Sequence, residues 1–189
     1  STVSQVSYIL LGVAMATPLG TIGGLVHLVH QGVMKITLFF CAGNLAETLG
    51  IHKIDEMDGV GRRMPWTMAA FTVAALGMIG LPPLAGFISK WYLGLGSLAS
   101  GQSWIILILI ASTLLNAAYF LPVLHRIWFV EPRQDWPPSS LRGGRETTWA
   151  LLAPPLITAL LVVLLGVLAG SVGSALYWVE LITAREYGP

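Results

Sequence analysis

Charged residues are scarce in this chain of 189 amino acids, of which only 10% are Asp, Glu, Lys or Arg. Soluble domains carry about 25% of such residues, so the composition argues against a water-soluble globular protein. Hydrophobic residues make up 55% of the chain, and the formal net charge is +1. A charge so close to neutral also argues against nucleic acid as a partner. The sequence therefore indicates an integral membrane protein.

Cysteine is almost absent. Cys41 stands alone inside an apolar run, which excludes an internal disulfide and a cysteine-based metal site. The sequence also contains no GxGxxG, Walker loop, HExxH or nucleophile elbow, the motifs of nucleotide binding, metal-dependent hydrolysis and acyl transfer. We therefore expect no cofactor and no metal site. Haem ligation by His125 together with His27 or His30 is a further alternative. The sequence around these histidines contains no haem-binding motif that would support it.

Long apolar runs are what the sequence has instead. A helix that spans a bilayer needs about 20 mostly apolar residues, and five segments meet or approach this length. These segments are 3–16, 21–45, 65–98, 104–129 and 148–178. They are too long for strands and lack the alternation of barrel strands. The predicted fold class is all-α integral membrane, a bundle of about five transmembrane helices.

The order of the runs predicts how the chain is organised. We expect residues 1–130 to form the main helical unit, residues 131–147 a loop, and residues 148–189 a last transmembrane helix and tail. The sequence opens on an apolar stretch without an initiator Met. We therefore expect a piece of a longer protein or the second part of a split one.

Basic residues are distributed unevenly between the two sides of the predicted bundle. Those of loops 46–64 and 130–147 are Lys53, Arg62, Arg63, Arg133, Arg142 and Arg145. The opposite side has only Arg185. Because Lys and Arg of short loops are enriched on the cytoplasmic side of a membrane, we predict that both loops are cytoplasmic.

Ionisable side chains interrupt the second apolar run. His27, Gln31 and Lys35 are spaced four residues apart, which places them on one helix face in a stripe about 12 Å long. His30 lies at the edge of this stripe. A lysine at the bilayer centre costs about 2.5–3.5 kcal/mol on insertion scales. The stripe is therefore expected to face the bundle interior or a hydrated path.

Two interpretations of the stripe are open. In the functional one it is a proton or cation relay with Lys35 as its titrating group, because water favours the ammonium and apolar surroundings favour the neutral amine. In the structural one, Lys35 extends to the membrane surface or pairs with a carboxylate of another segment. Its depth, well before the end of the run, favours the relay.

The third run contains a second anomaly, LGMIGLPPLAGFISKW. Pro82 and Pro83 remove two backbone donors and clash with the preceding turn, so the helix is predicted to break between Gly80 and Gly86, shortly before Lys90. Irregular backbone is tolerated at membrane depth where protein or water covers it, and broken helices often build ion paths. A simple proline kink, with Lys90 reaching the interface, is the alternative.

The last two runs hold fewer polar groups. In the fourth, Asn116 and Tyr119 are expected to hydrogen-bond within the bundle, and Pro122 predicts a kink. His125 and Arg126, at the end of that run, are expected to anchor it at the membrane surface. The deep part of the fifth run contains no ionisable group and is expected to serve packing.

These motifs resemble a known family. STVSQVSYILLG, HLVHQGVMKITLFFCAG, DGVGRRMPWTMAAF and GLPPLAGFISKW follow one another as in the antiporter-like membrane subunits of respiratory complex I, of membrane-bound hydrogenases and of Mrp-type cation/proton antiporters. The resemblance covers about residues 1–130. DGVGRRMPWTM and NAAYFLPVLHRIWF are most similar to the D-type subunit of Mrp antiporters, with complex I as the near competitor.

The resemblance implies that residues 1–130 hold most of the second of two inverted repeats. It implies an ion-translocating subunit in a bacterial or archaeal cytoplasmic membrane, without a redox site of its own. Its partners would be the missing first half, other membrane subunits, lipid, and protons with or without sodium. A scaffold that only holds a redox complex together is the competing function.

The resemblance also implies roles for single residues. Lys35, Lys90 and His27 map to the central hydrophilic axis of the family. His30 is offset by one position from a second histidine found in some members, and Gln31 stands in that position here.

Overall fold

The computed structural model describes residues 1–132 and 146–188. Within them the chain forms the α-helices α1 (Thr2–Ala14), α2 (Pro18–Leu49), α3 (Pro65–Ile79), α4 (Ala85–Ala99), α5 (Ile105–Phe129), α6 (Trp149–Val167) and α7 (Ala175–Tyr187). Two short 3-10 turns, Ile54–Glu56 and Val60–Arg62, lie between α2 and α3. No strand occurs in the described part of the chain, which confirms the all-α prediction.

Three helices are long and apolar enough to cross a membrane, namely α2, α5 and α6. The longest, α2, begins before and ends after the predicted 21–45. Thr17 caps its start by accepting the N–H of Gly20 at 3.1 Å, and Pro18 occupies the first turn, where a missing N–H costs nothing. Gly50 ends the helix with a left-handed φ of 66°.

The third run is broken, as predicted. α3 ends at Ile79 and α4 begins at Ala85, so the interruption falls between Gly80 and Gly86. Gly80 takes a left-handed φ of 96°, a conformation that glycine adopts without steric cost. The carbonyl of Leu76 accepts the N–H of Gly80 at 3.0 Å. The chain thus turns out of the helix just before the two prolines.

The fifth run is also broken, and its prediction as one long helix is wrong. α6 ends at Val167 and α7 begins at Ala175, with LAGSVGS between them. Glycine has low helix propensity, and serine is a preferred N-cap. Accordingly, the Oγ of Ser174 accepts the N–H of Tyr177 at 3.1 Å and caps α7.

Two prolines inside α6 do not end it. Pro154 and Pro155 lie in its first half, and Pro155 cannot donate to the carbonyl of Leu151, four residues earlier. The side chain of Asn44 on α2 donates to this carbonyl at 2.8 Å instead. A neighbouring helix thus satisfies the backbone group that the proline leaves without a donor.

The central helix is α2, which contacts α1, α3, α4, α6 and α7. It packs most closely where glycines face each other. A Cβ added to Gly96 of α4 would collide with the backbone of Gly20, and one added to Gly12 of α1 would lie 2.6 Å from the Cα of Gly24. Small residues allow such close approach between membrane helices. α1 and α4 are therefore held against the first half of α2.

The bundle has a loop end and a turn end. At the loop end, the hydroxyls of Thr48, in the last turn of α2, and Thr147, just before α6, lie 3.0 Å apart. At the turn end, the hydroxyls of Thr21 and Tyr187 lie 2.9 Å apart. The end of α2 and the start of α6 are therefore on one side of the bundle and the described end of α7 on the other.

A buried carboxylate links the loop end to α3. Glu146 accepts the N–H of Trp66 at 2.9 Å, the N–H of Thr67 at 2.7 Å and the hydroxyl of Thr67 at 2.6 Å. The first N–H groups of a helix lack helical acceptors and favour negative charge. Glu146 thus caps α3, although it lies far from α3 in the sequence, and sequence reasoning missed it.

Arg126 is more than the surface anchor expected of it. Its guanidinium lies 3.3 Å from Asp55 and 3.3 Å from the buried Asp58, and its carbonyl accepts the N–H of Gly59 at 2.9 Å. The end of α5 is thereby attached to the loop before α3.

We predict that the loop end faces the cytoplasm. Arg62 and Arg185 are exposed at opposite ends and suit single-cysteine labelling, after Cys41 has been replaced by alanine. In sealed vesicles with the cytoplasmic face outward, an impermeant maleimide should label position 62 and not position 185. The reverse pattern would overturn the assignment. Arg142 lies outside the described residues.

Candidate functional site

His27 forms the centre of a buried hydrogen-bond cluster. It is 0% exposed, with Nδ1 2.8 Å from the Oγ of Ser89 on α4 and Nε2 2.9 Å from the Oε1 of Gln5 on α1. An amide oxygen only accepts, and a neutral imidazole has one donor and one acceptor nitrogen. With Oε1 of Gln5 as the acceptor, the proton lies on Nε2, and Nδ1 faces the hydroxyl of Ser89, which also lies 3.2 Å from the carbonyl of Gly86. His27 therefore joins α1, α2 and α4.

Lys90 places its ammonium at the break between α3 and α4. Nζ donates to the carbonyl of Ile79 at 2.7 Å, to that of Met78 at 3.3 Å and to the hydroxyl of Thr113 at 3.2 Å. The last carbonyls of a helix lack helical donors and carry the negative end of its dipole. Nζ also lies 5.3 Å from the ring centroid of Tyr8, within cation–π range. The break thus creates the site that holds the ammonium.

Lys35 lies apart from this cluster. It is half-buried, and its Nζ donates to the Oγ of Ser1 at 2.6 Å. Both residues line a cavity of about 390 Å³ together with Tyr119. The carboxylates of Asp55 and Asp58 pair with Arg126, and within residues 1–132 and 146–188 no carboxylate lies within ion-pair distance of Lys35 or Lys90. Neither Lys35 nor Lys90 therefore has a carboxylate partner there.

His30 and Gln31 differ in their surroundings. His30 is 1% exposed, and its ring faces the backbone of Ala85 at the start of α4. Neither ring nitrogen reaches a partner at hydrogen-bonding geometry among the described residues. Gln31 is half-buried, one turn from both His27 and Lys35. The structure therefore brings His27 and Lys90 together and places His30 against the break.

A line of polar groups on α1 and α5, called here the polar seam, lies between the two lysines. Its members are Ser1, the N-cap of α1, with Gln5 and Tyr8 on α1, and Ser112, Thr113, Asn116 and Tyr119 on α5. The hydroxyl of Tyr8 donates to Ser112 at 2.6 Å, and that of Tyr119 donates to Asn116. The seam contacts Lys90 through Thr113 and Lys35 through Ser1.

Sequence reasoning found only part of the seam. The sequence predicts that Asn116 and Tyr119 form hydrogen bonds within the bundle, and the hydroxyl of Tyr119 donates to Asn116. It does not predict that Gln5 and Tyr8 of α1 belong to the same polar surface. A signal was present: positions 1, 5 and 8 repeat the spacing of positions 112, 116 and 119. Residues three and four apart share one helix face. A polar face without charges therefore marks both helices.

Residues 1–116 match the family described as "NADH:quinone oxidoreductase/Mrp antiporter, TM". The chain belongs to this family. Among curated relatives it is 38% identical over 173 residues to the N-type subunit of the NADH-quinone oxidoreductase of Desulforudis audaxviator, covering 88% of this chain and 34% of that protein. It is 32% identical over 165 residues to the D-type subunit of the Na(+)/H(+) antiporter of Bacillus subtilis, covering 87% of this chain and 32% of the relative. The chain thus spans about a third of these relatives.

Solved structures share the fold. The Mrp complex from Dietzia sp. matches with a TM-score of 0.76 and 24% identity, covering 98% of this chain and 41% of that one. Respiratory complex I from Thermus thermophilus matches with a TM-score of 0.79 and 27% identity, covering 96% and 37%. The likeness thus extends over nearly the whole chain. The protein is an antiporter-like membrane subunit, integral to the cytoplasmic membrane, of a family whose members belong to multi-subunit membrane complexes.

Proposed function

We propose that this chain translocates protons as the second half of an antiporter-like subunit, with Lys90, His27 and Lys35 as the titrating groups of a relay. The observation that carries the proposal is the ammonium of Lys90 held at a helix break by carbonyls and a hydroxyl. Membership in the antiporter family supports it. Gln31 bridges His27 and Lys35 in this proposal, and His30 joins the path at the break.

The ligands of Lys90 suit a group that must release its proton. Two backbone carbonyls and the hydroxyl of Thr113 stabilise the ammonium through dipoles. A carboxylate would hold the charge more firmly, because an opposite full charge favours the ionised form. Without one, changes in hydration or in the distance to the carbonyls shift the balance between ammonium and amine. Lys35 is comparable in that its ammonium donates to the uncharged hydroxyl of Ser1 and has no carboxylate partner among the described residues.

Two host complexes compete. The motifs DGVGRRMPWTM and NAAYFLPVLHRIWF favour a monovalent cation/proton antiporter of the Mrp type, with this chain as part of its D-type subunit, which is the function proposed here. The 38% identity to a component of an NADH-quinone oxidoreductase favours a redox-driven proton pump as the second candidate. Proton flux driven by a sodium gradient alone, in liposomes containing the purified complex, distinguishes the antiporter from the pump. The relay is common to both.

The test of the relay is Lys90→Gln in the assembled complex, reconstituted into liposomes. Glutamine keeps a polar N–H₂ donor on a side chain one bond shorter, but carries no exchangeable charge. We expect proton translocation to fall by about 100-fold, the lower end of acid–base contributions, while the subunit composition is unchanged. A pH-sensitive dye inside the liposomes measures the rate.

The matched control is Lys53→Gln, because Lys53 is an exposed lysine in the loop between α2 and α3. It should translocate at the wild-type rate. Wild-type translocation by Lys90→Gln as well would leave the chain as a scaffold of its complex and contradict the proposal.

A further inference from the structure

Tyr8 lies where three parts of the site meet. Its hydroxyl donates to the Oγ of Ser112 at 2.6 Å, and the hydroxyl of Thr113 lies beside the same phenol. Its ring faces the ammonium of Lys90 at 5.3 Å and meets the imidazole of His27 at a centroid distance of 5.2 Å and an angle of 77°. The residue is only 4% exposed. Tyr8 thus contacts both ionisable groups of the cluster and the hydroxyls of α5.

Apolar packing closes the seam on the turn side of Tyr8. Tyr8 belongs to one buried cluster with Met15, Leu93, Ile105 and Leu109. Met15 follows the end of α1 and Ile105 begins α5, so this cluster lies between Tyr8 and the turn end. Charge is poorly solvated in such surroundings. A proton that leaves Lys90 along the seam therefore has the hydroxyls of α5 as its nearest acceptors.

We propose that the hydroxyl of Tyr8 passes protons between Lys90 and the hydroxyls of α5. The proposal rests on the relay proposed above and adds a residue to it. Of the groups around Lys90, the phenol is the one that also bonds Ser112, the member of the seam that leads toward Asn116 and Lys35.

The transfer is a shift of protons along a row of hydrogen bonds. The ammonium of Lys90 gives a proton to the Oγ1 of Thr113, whose own proton moves to the oxygen of Tyr8. Tyr8 gives its phenolic proton to the Oγ of Ser112, and Ser112 releases its proton to water. Each hydroxyl forms one O–H bond and breaks one. The net change is a neutral amine on Lys90 and a protonated water in the seam.

Two buried amides mark where such water binds. Gln5 Nε2 and Asn116 Nδ2 have no hydrogen-bond partner in the part of the chain that the structure describes. Gln5 lies one turn before Tyr8 on α1, and Asn116 lies one turn after Ser112 on α5. Buried donors without a protein partner are the groups that internal water satisfies. In this proposal, the water that accepts the proton from Ser112 is bound by one of these amides.

The first test is Tyr8→Phe in the assembled complex, reconstituted into liposomes. The change removes the hydroxyl and keeps the ring, so the contacts with Lys90 and His27 are retained. We expect proton translocation to fall by about 100-fold, the lower end of what a positioned proton-transfer group contributes, with unchanged subunit composition. The matched control is Tyr92→Phe, because the hydroxyl of Tyr92 bonds Glu180 at 2.9 Å, outside the seam. It should keep the wild-type rate.

The second test separates proton transfer from a structural tie between α1 and α5. A fluorinated tyrosine at position 8 keeps the hydrogen bond to Ser112 but is a stronger acid. We expect the pH profile of translocation to move to lower pH, whereas a structural tie would leave it in place. An unchanged profile, or wild-type translocation in Tyr8→Phe while Lys90→Gln is impaired, overturns the role of Tyr8 alone. Wild-type translocation in Lys90→Gln would overturn the relay itself.

Discussion

Replacing Lys35 by alanine should abolish ion translocation and leave the complex assembled. The ammonium bonds the hydroxyl of Ser1 and has no carboxylate partner among the described residues, so its removal leaves no buried charge without a partner. Alanine also has the highest helix propensity, which preserves α2. We expect translocation in liposomes to fall by about 100-fold or more, as for loss of an essential acid–base group.

Arginine at the same position tests whether charge alone suffices. Lys35→Arg keeps a cation in the cavity, but guanidinium does not release its proton at accessible pH. A relay through Lys35 therefore requires that this variant also translocates poorly. Wild-type rates in both variants would assign Lys35 a structural role. An active Lys35→Arg with an inactive Lys35→Ala would mean that a fixed positive charge, and not proton exchange, is what the site requires.

Replacing Gly86 by alanine should destabilise the complex and reduce translocation. A Cβ at Gly86 would overlap the carbonyl oxygen of Gly77 in the last turn of α3 and lie 3.4 Å from the Cε of Met34. Because the first obstacle is backbone, α4 must move away from α3. Overpacking of this kind costs about 1–3 kcal/mol, and the movement displaces Lys90 from its carbonyl ligands.

The control for this variant lies on the same helix. A Cβ added to Gly94 would meet no atom within 4 Å, and alanine favours a helix by about 1 kcal/mol over glycine. After heating in detergent, the intact fraction of Gly86→Ala should be lower than that of wild type, and that of Gly94→Ala should not. Equal heat resistance of the two variants would show that α3 and α4 tolerate a wider separation.

The sequence predicts the interruption at Pro82 and Pro83 because proline acts locally. It removes a donor and clashes within its own turn, so no tertiary information is needed. The interruption in LAGSVGS escapes the same reasoning, since its residues are small and apolar enough to continue a hydropathy run. Hydropathy reports solubility in lipid, whereas helix ends depend on capping and on the backbone conformation of single residues.

The site is predicted less completely than the fold. Lys35, Lys90 and His27 are conspicuous because each is costly in lipid. Tyr8 and Ser112 do not stand out in the sequence, because hydroxyl side chains are common in membrane helices. Their role becomes visible only from the groups that they contact in the fold. Glu146 is hidden for the same reason. Its carboxylate bonds Thr67 at a sequence separation of 79 residues, a contact that only the packing of α6 beside α3 establishes.

The interruption between α3 and α4 lies at the same depth in the bundle as the one between α6 and α7. Both pairs of helices can therefore bend at one level. A Cβ at Gly166, near the end of α6, would collide with the carbonyl of Pro83 in the other interruption. Beyond that level, Ile88 of α4 packs with Leu176 and Val179 of α7 in one apolar cluster, so a tilt of one helix also shifts the other. α2 continues through this level without a break and contacts α4, α6 and α7. A small rotation of α4 at this level would change the distance of 2.7 Å between Lys90 Nζ and the carbonyl of Ile79, so the ligands of the ammonium depend on the tilt of α4.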